Sequence, residues 1–218
     1  LVKSKNVNDI YEILVDALSN SNERLGPIAL EKLATAQDDE RIMGIMIEQV
    51  AKGDATSRQM ATKFLQNAAS QNPERMQKAM LELLSEGEDA TRRVAVEILL
   101  ASGNPQDIIY RILVFCKDLV GWLRTRILET LQTFGDDVLK PAVALLQHDE
   151  EEVRTAALVL VERFKDPRLV PHLCRLLQDP DWWLRISTCD ALGNLGDERA
   201  VPHLIKALES DEVRWAAI

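Results

Sequence analysis

Arg24, Arg58, Arg92, Arg124, Arg154, Arg185 and Arg214 recur along the chain, the last four spaced 30, 31 and 29 residues apart. A row of guanidinium groups has the chemistry of anion recognition, since each presents a planar fork of donors to phosphate or carboxylate. These arginines, however, stand beside acids that recur with them: Asp118 lies six residues before Arg124, and Asp179 six before Arg185. A cation met once per unit next to an acid reads more simply as structural. The expectation is an ion-pair ladder of Arg92, Asp118, Arg124, Arg154, Asp179, Arg185 and Arg214 that fixes how units stack. Exposed pairs of this kind contribute about 0–1 kcal/mol each.

The tryptophans carry more information about binding. Trp122 and Trp183 both stand two residues before a ladder arginine, while Glu152 holds that position in the unit between them. The repeat therefore does not require an aromatic there. Trp182 adjoins Trp183, and Trp215 follows Arg214. Tryptophan is enriched at binding hot spots, so Trp122, Trp182, Trp183, Ile186, Asp190 and Trp215 are the candidate partner-binding residues. The competing reading is that each ring folds over a neighbouring unit as packing.

Other chemistry finds little support. His172 and His203 are equivalent, but equivalent positions of adjacent helix pairs lie about 10 Å apart, whereas two ligands of one zinc each lie about 2 Å from it. No metal is expected. The acidic runs Asp149–Glu152 and Glu86–Asp89 suit helix N-termini and would also suit a basic partner segment. There is no G-x-S-x-G, P-loop, GxGxxG or CxxC, and Ser, His and Asp are too scattered to form a catalytic set. The chain is read as non-enzymatic and without a cofactor.

The elements that position these residues emerge when the chain is laid on itself. Twelve residues after Arg124, Arg154 and Arg185 stand Asp136, Asp166 and Asp197; seventeen after stand Pro141, Pro171 and Pro202. Val201, Leu204, Ile205 and Leu208 share one face at helical period, as do Ala156, Leu160, Val161 and Phe164. Each unit is thus helix–turn–helix, about 12 residues per helix, with Asp as cap, Pro in the first turn, and Gly135 and Gly196 where a left-handed cap is tolerated. No unit buries its own apolar face, so neighbours must stack.

Composition agrees with this reading. The chain has 218 residues, 46% apolar and only 5% aromatic, which favours helices over a sandwich. A net charge of −9 argues against nucleic acid as partner. No apolar run reaches the roughly 18 residues of a membrane span. Three cysteines without a CxxC pair suit a reducing, cytoplasmic setting. The sequence lacks an initiator Met and stops in what reads as mid-helix, so a longer parent chain is expected.

The stretch from Asp179-Pro180-Asp181-Trp182-Trp183-Leu184-Arg185 through Ala191-Leu192-Gly193-Asn194-Leu195-Gly196-Asp197 to Pro202-His203-Leu204 resembles a HEAT repeat. More narrowly, it is similar to the bacterial HEAT-like repeats named after phycobilisome lyases. The resemblance is specific over 120–218, looser over 86–119 and weak before. It implies an all-α, right-handed α-solenoid of about seven stacked HEAT-like repeats, the last incomplete. That solenoid forms one domain over 1–218, with divergent repeats over 1–85 and well-matched ones over 86–218. Second helices would line a concave groove that receives a partner protein. Two enzyme readings stand beside this scaffold: a phycobilin lyase or isomerase subunit, and a HEAT-like DNA glycosylase using Trp182, Trp183, Arg185 and Asp190.

Overall fold

A computed structural model describes residues 40–207, together with helical positions Ile13, Leu14, Ala17, Ile28, Ala29 and Lys32. Arg24, Arg214 and Trp215 lie outside the described residues. Residues 40–207 form eleven α-helices, and there is no strand among the described residues. No helix among them is long and apolar enough to cross a membrane. The chain divides into two compact units, Leu1–Gly103 and Asn104–Ile218.

The first unit contains α1 (Glu40–Lys52), α2 (Ala55–Gln71), α3 (Pro73–Glu86) and α4 (Asp89–Ala101). Its turns are set by local chemistry. Asp54 accepts from the Ser57 N–H at the start of α2, and Asn72 caps α3 ahead of Pro73, whose missing N–H would be unsatisfied anyway. Each helix packs on its neighbour, and α2 also packs on α4, as stacked helix pairs must. Ile42, Met46, Leu65, Met76, Met80, Leu84 and Ile98 are fully buried between them.

The second unit contains α5 (Pro105–Lys117), α6 (Gly121–Gln132), α7 (Asp136–Leu145), α8 (Glu151–Glu162), α9 (Val170–Leu176), α10 (Trp182–Leu195) and α11 (Val201–Ala207). First helices α5 and α7 pack together, as do second helices α8 and α10. The core is aliphatic: Ile108, Ile109, Ile112, Ile127, Leu131, Leu160 and Val161. Pair stacked on pair, this is an all-α fold of the α-solenoid class.

Details differ from the regular pattern in the first helices. Before α9 and α11 the chain makes 3₁₀ turns, Pro167–Leu169 and Glu198–Ala200. Asp166 and Asp197 each accept the N–H two residues on, from Arg168 and Arg199, which tightens the turn and shortens the following α-helix. Pro171 and Pro202 are then second residues of their helices, as expected. Pro141 instead lies inside α7, because there the α-helix already begins at Asp136. Its lost acceptor, the Asp137 carbonyl, belongs to an exposed first-turn residue that water can reach. Gly196 takes the left-handed cap at φ 62°, ψ 25°. Gly135, at φ 56° and ψ −128°, precedes α7 as its N-cap and is not a left-handed helix end.

Candidate functional site

The arginine series sits at the start of the second helices, and its fork turns back onto the carbonyl ends of the first helices. Arg58 Nε donates to Val50 O at 3.1 Å, Arg92 Nε to Leu84 O at 3.1 Å, and Arg124 Nε to Cys116 O at 2.9 Å. In all three the acceptor lies eight residues back. Arg124 Nη2 also reaches Lys117 O and Leu119 O. Arg154 Nη1 takes His148 O and Asp149 O, both at 2.9 Å, and Arg185 Nη1 takes Asp179 O at 2.7 Å and Pro180 O at 3.1 Å. A helix leaves its last four carbonyls without internal partners, so Arg58, Arg92 and Arg124 are built-in C-terminal caps, whereas Arg154 and Arg185 hold carbonyls of the turn beyond the helix end.

This corrects the pairing read from the six-residue spacing. Arg124 and Arg185 bond to turn carbonyls, and Asp118 lies exposed at the end of α5. The Asp179 carboxylate is engaged by the preceding repeat: Arg154 Nε and Nη2 hold its two oxygens at 2.8 and 2.9 Å. Both residues are buried, at 9% and 8% exposure. The sequence put the acid and the arginine of one repeat together, whereas the fork is long enough to choose the next repeat's acid. Arg92 pairs with Asp89 of its own helix at 2.7 Å.

Further acids tie first helices together. Arg168 bridges Asp136 and Asp166, and Arg199 bonds Asp197 and reaches Pro167 O. The guanidinium contacts hold Asp136 and Asp166 below the usual carboxylate range, and Asp197 is held down to about 2, first by the Arg199 side chain and then by its N–H.

The three described tryptophans face outward. Trp122 is 66% exposed, Trp182 51% and Trp183 56%. Trp182 and Trp183 meet edge to face with centroids 5.6 Å apart, so Trp182 spends part of its surface supporting its neighbour. Trp183 forms one wall of an open groove of about 310 Å³ within the second unit. Its apolar floor comes from Leu113 and Cys116 of α5, Leu128 of α6 and Ala156 and Val159 of α8; Lys117, Arg124, Glu151, Glu152 and Thr155 form the rim. Lys117 is ion-paired to Glu152. Burial pushes the Cys116 thiol up to about 12, against a smaller opposing effect of Arg124, so the floor holds a neutral thiol. Trp122, Trp182, Ile186 and Asp190 do not line the groove; Ile186 is half-buried and Asp190 exposed.

Residues 139–218 match the family model for HEAT repeats. From α7 onward, the repeats are HEAT-like by sequence as well as by shape. No curated protein matches the sequence. Among solved structures, an engineered protein is similar at 20% identity, covering 95% of this chain and 93% of its own, with a TM-score of 0.34. Human deoxyhypusine hydroxylase in complex with glycerol matches at 12% identity over 99% and 96%, TM-score 0.38. The complex of CpcE and CpcF of phycocyanin lyase from Nostoc sp. PCC7120 matches at 16% over 94% and 91%, TM-score 0.34. At such TM-scores none of these likenesses bears on what this chain does.

One groove residue carried a sequence signal that the tryptophans overshadowed. Val159 lies five residues after its repeat's arginine, where the three nearest repeats place Glu97, Glu129 and Asp190 and the first two of the series place Ala29 and Lys63. It is apolar and 43% exposed, at a position that the repeats on either side give to acids. The α5 contribution had no comparable signal, since Leu113 and Cys116 read as ordinary core.

Proposed function

We propose that this chain is a non-enzymatic scaffold that binds a partner protein, using the groove walled by Trp183 and Val159. One observation supports it above others: large apolar side chains stand exposed around an apolar floor at two positions where neighbouring repeats carry acids. Exposed aromatics beside a desolvated pocket are the anatomy of a binding hot spot, and stacked repeats commonly bind through such continuous surfaces. The described arginines of the series offer no competing anion-binding strip, because their donors are engaged by carbonyls and by Asp179 and Asp89.

The test uses Val159→Gln, an uncharged relative of the glutamates found there in α4 and α6, and Trp183→Ala. Both positions are exposed, so circular dichroism should match the parent. Capture of a saturable protein partner from a lysate of the source cells by the parent, and its loss in both variants, is the expected result. Capture that is indifferent to both changes, or turnover of a small molecule by the chain alone, would overturn the reading.

A further inference from the structure

We infer that the groove receives a short extended segment of the partner in which an arginine or lysine stands next to a bulky apolar residue. The inference rests on the scaffold reading above and adds the chemistry of the occupant. At about 310 Å³ the groove is at the lower end of ligand-site volumes, roughly 300–1,000 Å³. It admits one or two side chains, and a helix or a folded domain would not enter.

The apolar anchor follows from the floor of Leu113, Cys116, Leu128, Ala156 and Val159. The basic companion follows from charge. Asp149, Glu150, Glu151 and Glu152 crowd the start of α8, all exposed, and the rim opposite them carries one lysine. That Lys117 is bonded to Glu152 and lies in the field of Glu150 and Asp118 as well. The fork of Arg124 is occupied by three carbonyls at the end of α5. The α8 N-terminus offsets about half a charge of the acids and leaves the mouth net negative. Trp183 adds an open ring face, on which a guanidinium or ammonium within about 6 Å is attracted. An acidic or phosphorylated segment would meet the same four acids, with Lys117 and Arg124 already engaged.

The experiment pans a phage-displayed random peptide library on the full chain and measures the synthesised consensus peptide by fluorescence anisotropy. Peptides pairing Arg or Lys with Trp, Phe, Leu or Met are expected. Binding should weaken about tenfold in Glu150→Lys/Glu151→Lys, since each rim pair is modest and two are reversed. It should tighten about threefold in Lys117→Gln, which releases Glu152 from its partner, and fall with added salt. These two variants move affinity in opposite directions, so misfolding cannot imitate the pair. A consensus without basic residues, or affinity indifferent to charge reversal and salt, overturns the inference; if Val159→Gln still abolishes binding, the scaffold reading survives it. A library that yields no peptide while the lysate partner is still captured overturns it too, because the occupant is then no short segment. Peptide binding untouched by Val159→Gln overturns the groove for both readings.

Discussion

The two units solve one problem with one residue and then part company. In the first, Arg58 and Arg92 reach back eight residues to cap a helix, and the carboxylate bonded to Arg92, Asp89, is largely exposed. In the second, Arg124 repeats that geometry, but Arg154 swings forward so that two donors grip Asp179 of the next repeat. Bonding backbone carbonyls is what every described arginine of the series does. Tying repeat to repeat through a buried acid is an addition, joined by the Arg168–Asp136 link and the Arg199–Pro167 bond. The HEAT match begins at residue 139, where these additions gather. Composition differs alongside: all five methionines, soft gap-fillers, lie in the first unit, and all four tryptophans in the second, where the three described ones are exposed.

The largest expected effect tests that addition. Asp179→Ala leaves Arg154 buried with only carbonyl partners and should cost about 3 kcal/mol. Asp89→Ala removes an exposed partner from an equally buried arginine and should cost less than about 1 kcal/mol. Stacked repeats need not unfold in one step, so native-state hydrogen exchange, read separately over α8–α10 and α3–α4, is the suitable measurement. Equal costs would erase the distinction between the units. The shared part comes next: Arg58→Met and Arg124→Met each strand charge-assisted bonds to helix-end carbonyls and should cost about 2 kcal/mol. A large loss in one and none in the other would show that the cap matters in only one unit.

Acid should weigh more heavily on the second unit without mutation, although in the first the Ser57 N–H holds down Asp54. Asp136, Asp166 and Asp197 belong to the second unit, and their folded pKa values lie below the ordinary 3.8, with Asp197 near 2. A depressed folded pKa contributes stability that is present above the unfolded value and disappears as pH falls through the folded one. The second unit should therefore lose protection from about pH 4 down to about pH 2. Arg199→Gln should flatten the lower part of that slope. Protection in α9–α11 that holds constant across this window would show these exposed pairs to be energetically silent.

Much of this was legible in the sequence because caps and periods are local. The Asp–Pro spacing announced the turns at Asp166 and Asp197, and Gly196 its left-handed end. Pro141 was misplaced because the same Asp can open a 3₁₀ turn or an α-helix, and a preceding glycine does not decide it, since Asp136 and Asp197 both follow one. The partners of the arginines were beyond a linear reading. A guanidinium at the start of a second helix reaches carbonyls five to eight residues back and an acid twenty-five ahead, and packing decides among them. Of the three described tryptophans only Trp183 lines the groove, and Val159 carries the weaker signal because an acid missing from one repeat stands out less than an added aromatic.

The smallest prediction asks why Arg124 lacks what Arg154 has. His148 occupies the turn position that Asp179 fills one repeat later, and it does half of the work: its Nδ1 accepts the Glu150 N–H at 3.1 Å, as Asp179 Oδ1 accepts that of Asp181 at 2.9 Å. It has no second oxygen for the preceding arginine, and its ring stacks on Tyr110 at 5.3 Å instead. His148→Asp supplies that oxygen and forfeits the stacking, worth about 0.5–1.5 kcal/mol, so the net change in stability should be close to zero. The informative quantity is the coupling to Arg124 in a cycle with Arg124→Met, expected at about 0.5–1 kcal/mol once the acid is present. Measurable coupling would make the identity of the turn residue the switch between the two uses of the arginine. Zero coupling would transfer that role to burial, since Arg124 is exposed where Arg154 is enclosed, and the acid at 179 would then matter only because its surroundings exclude water.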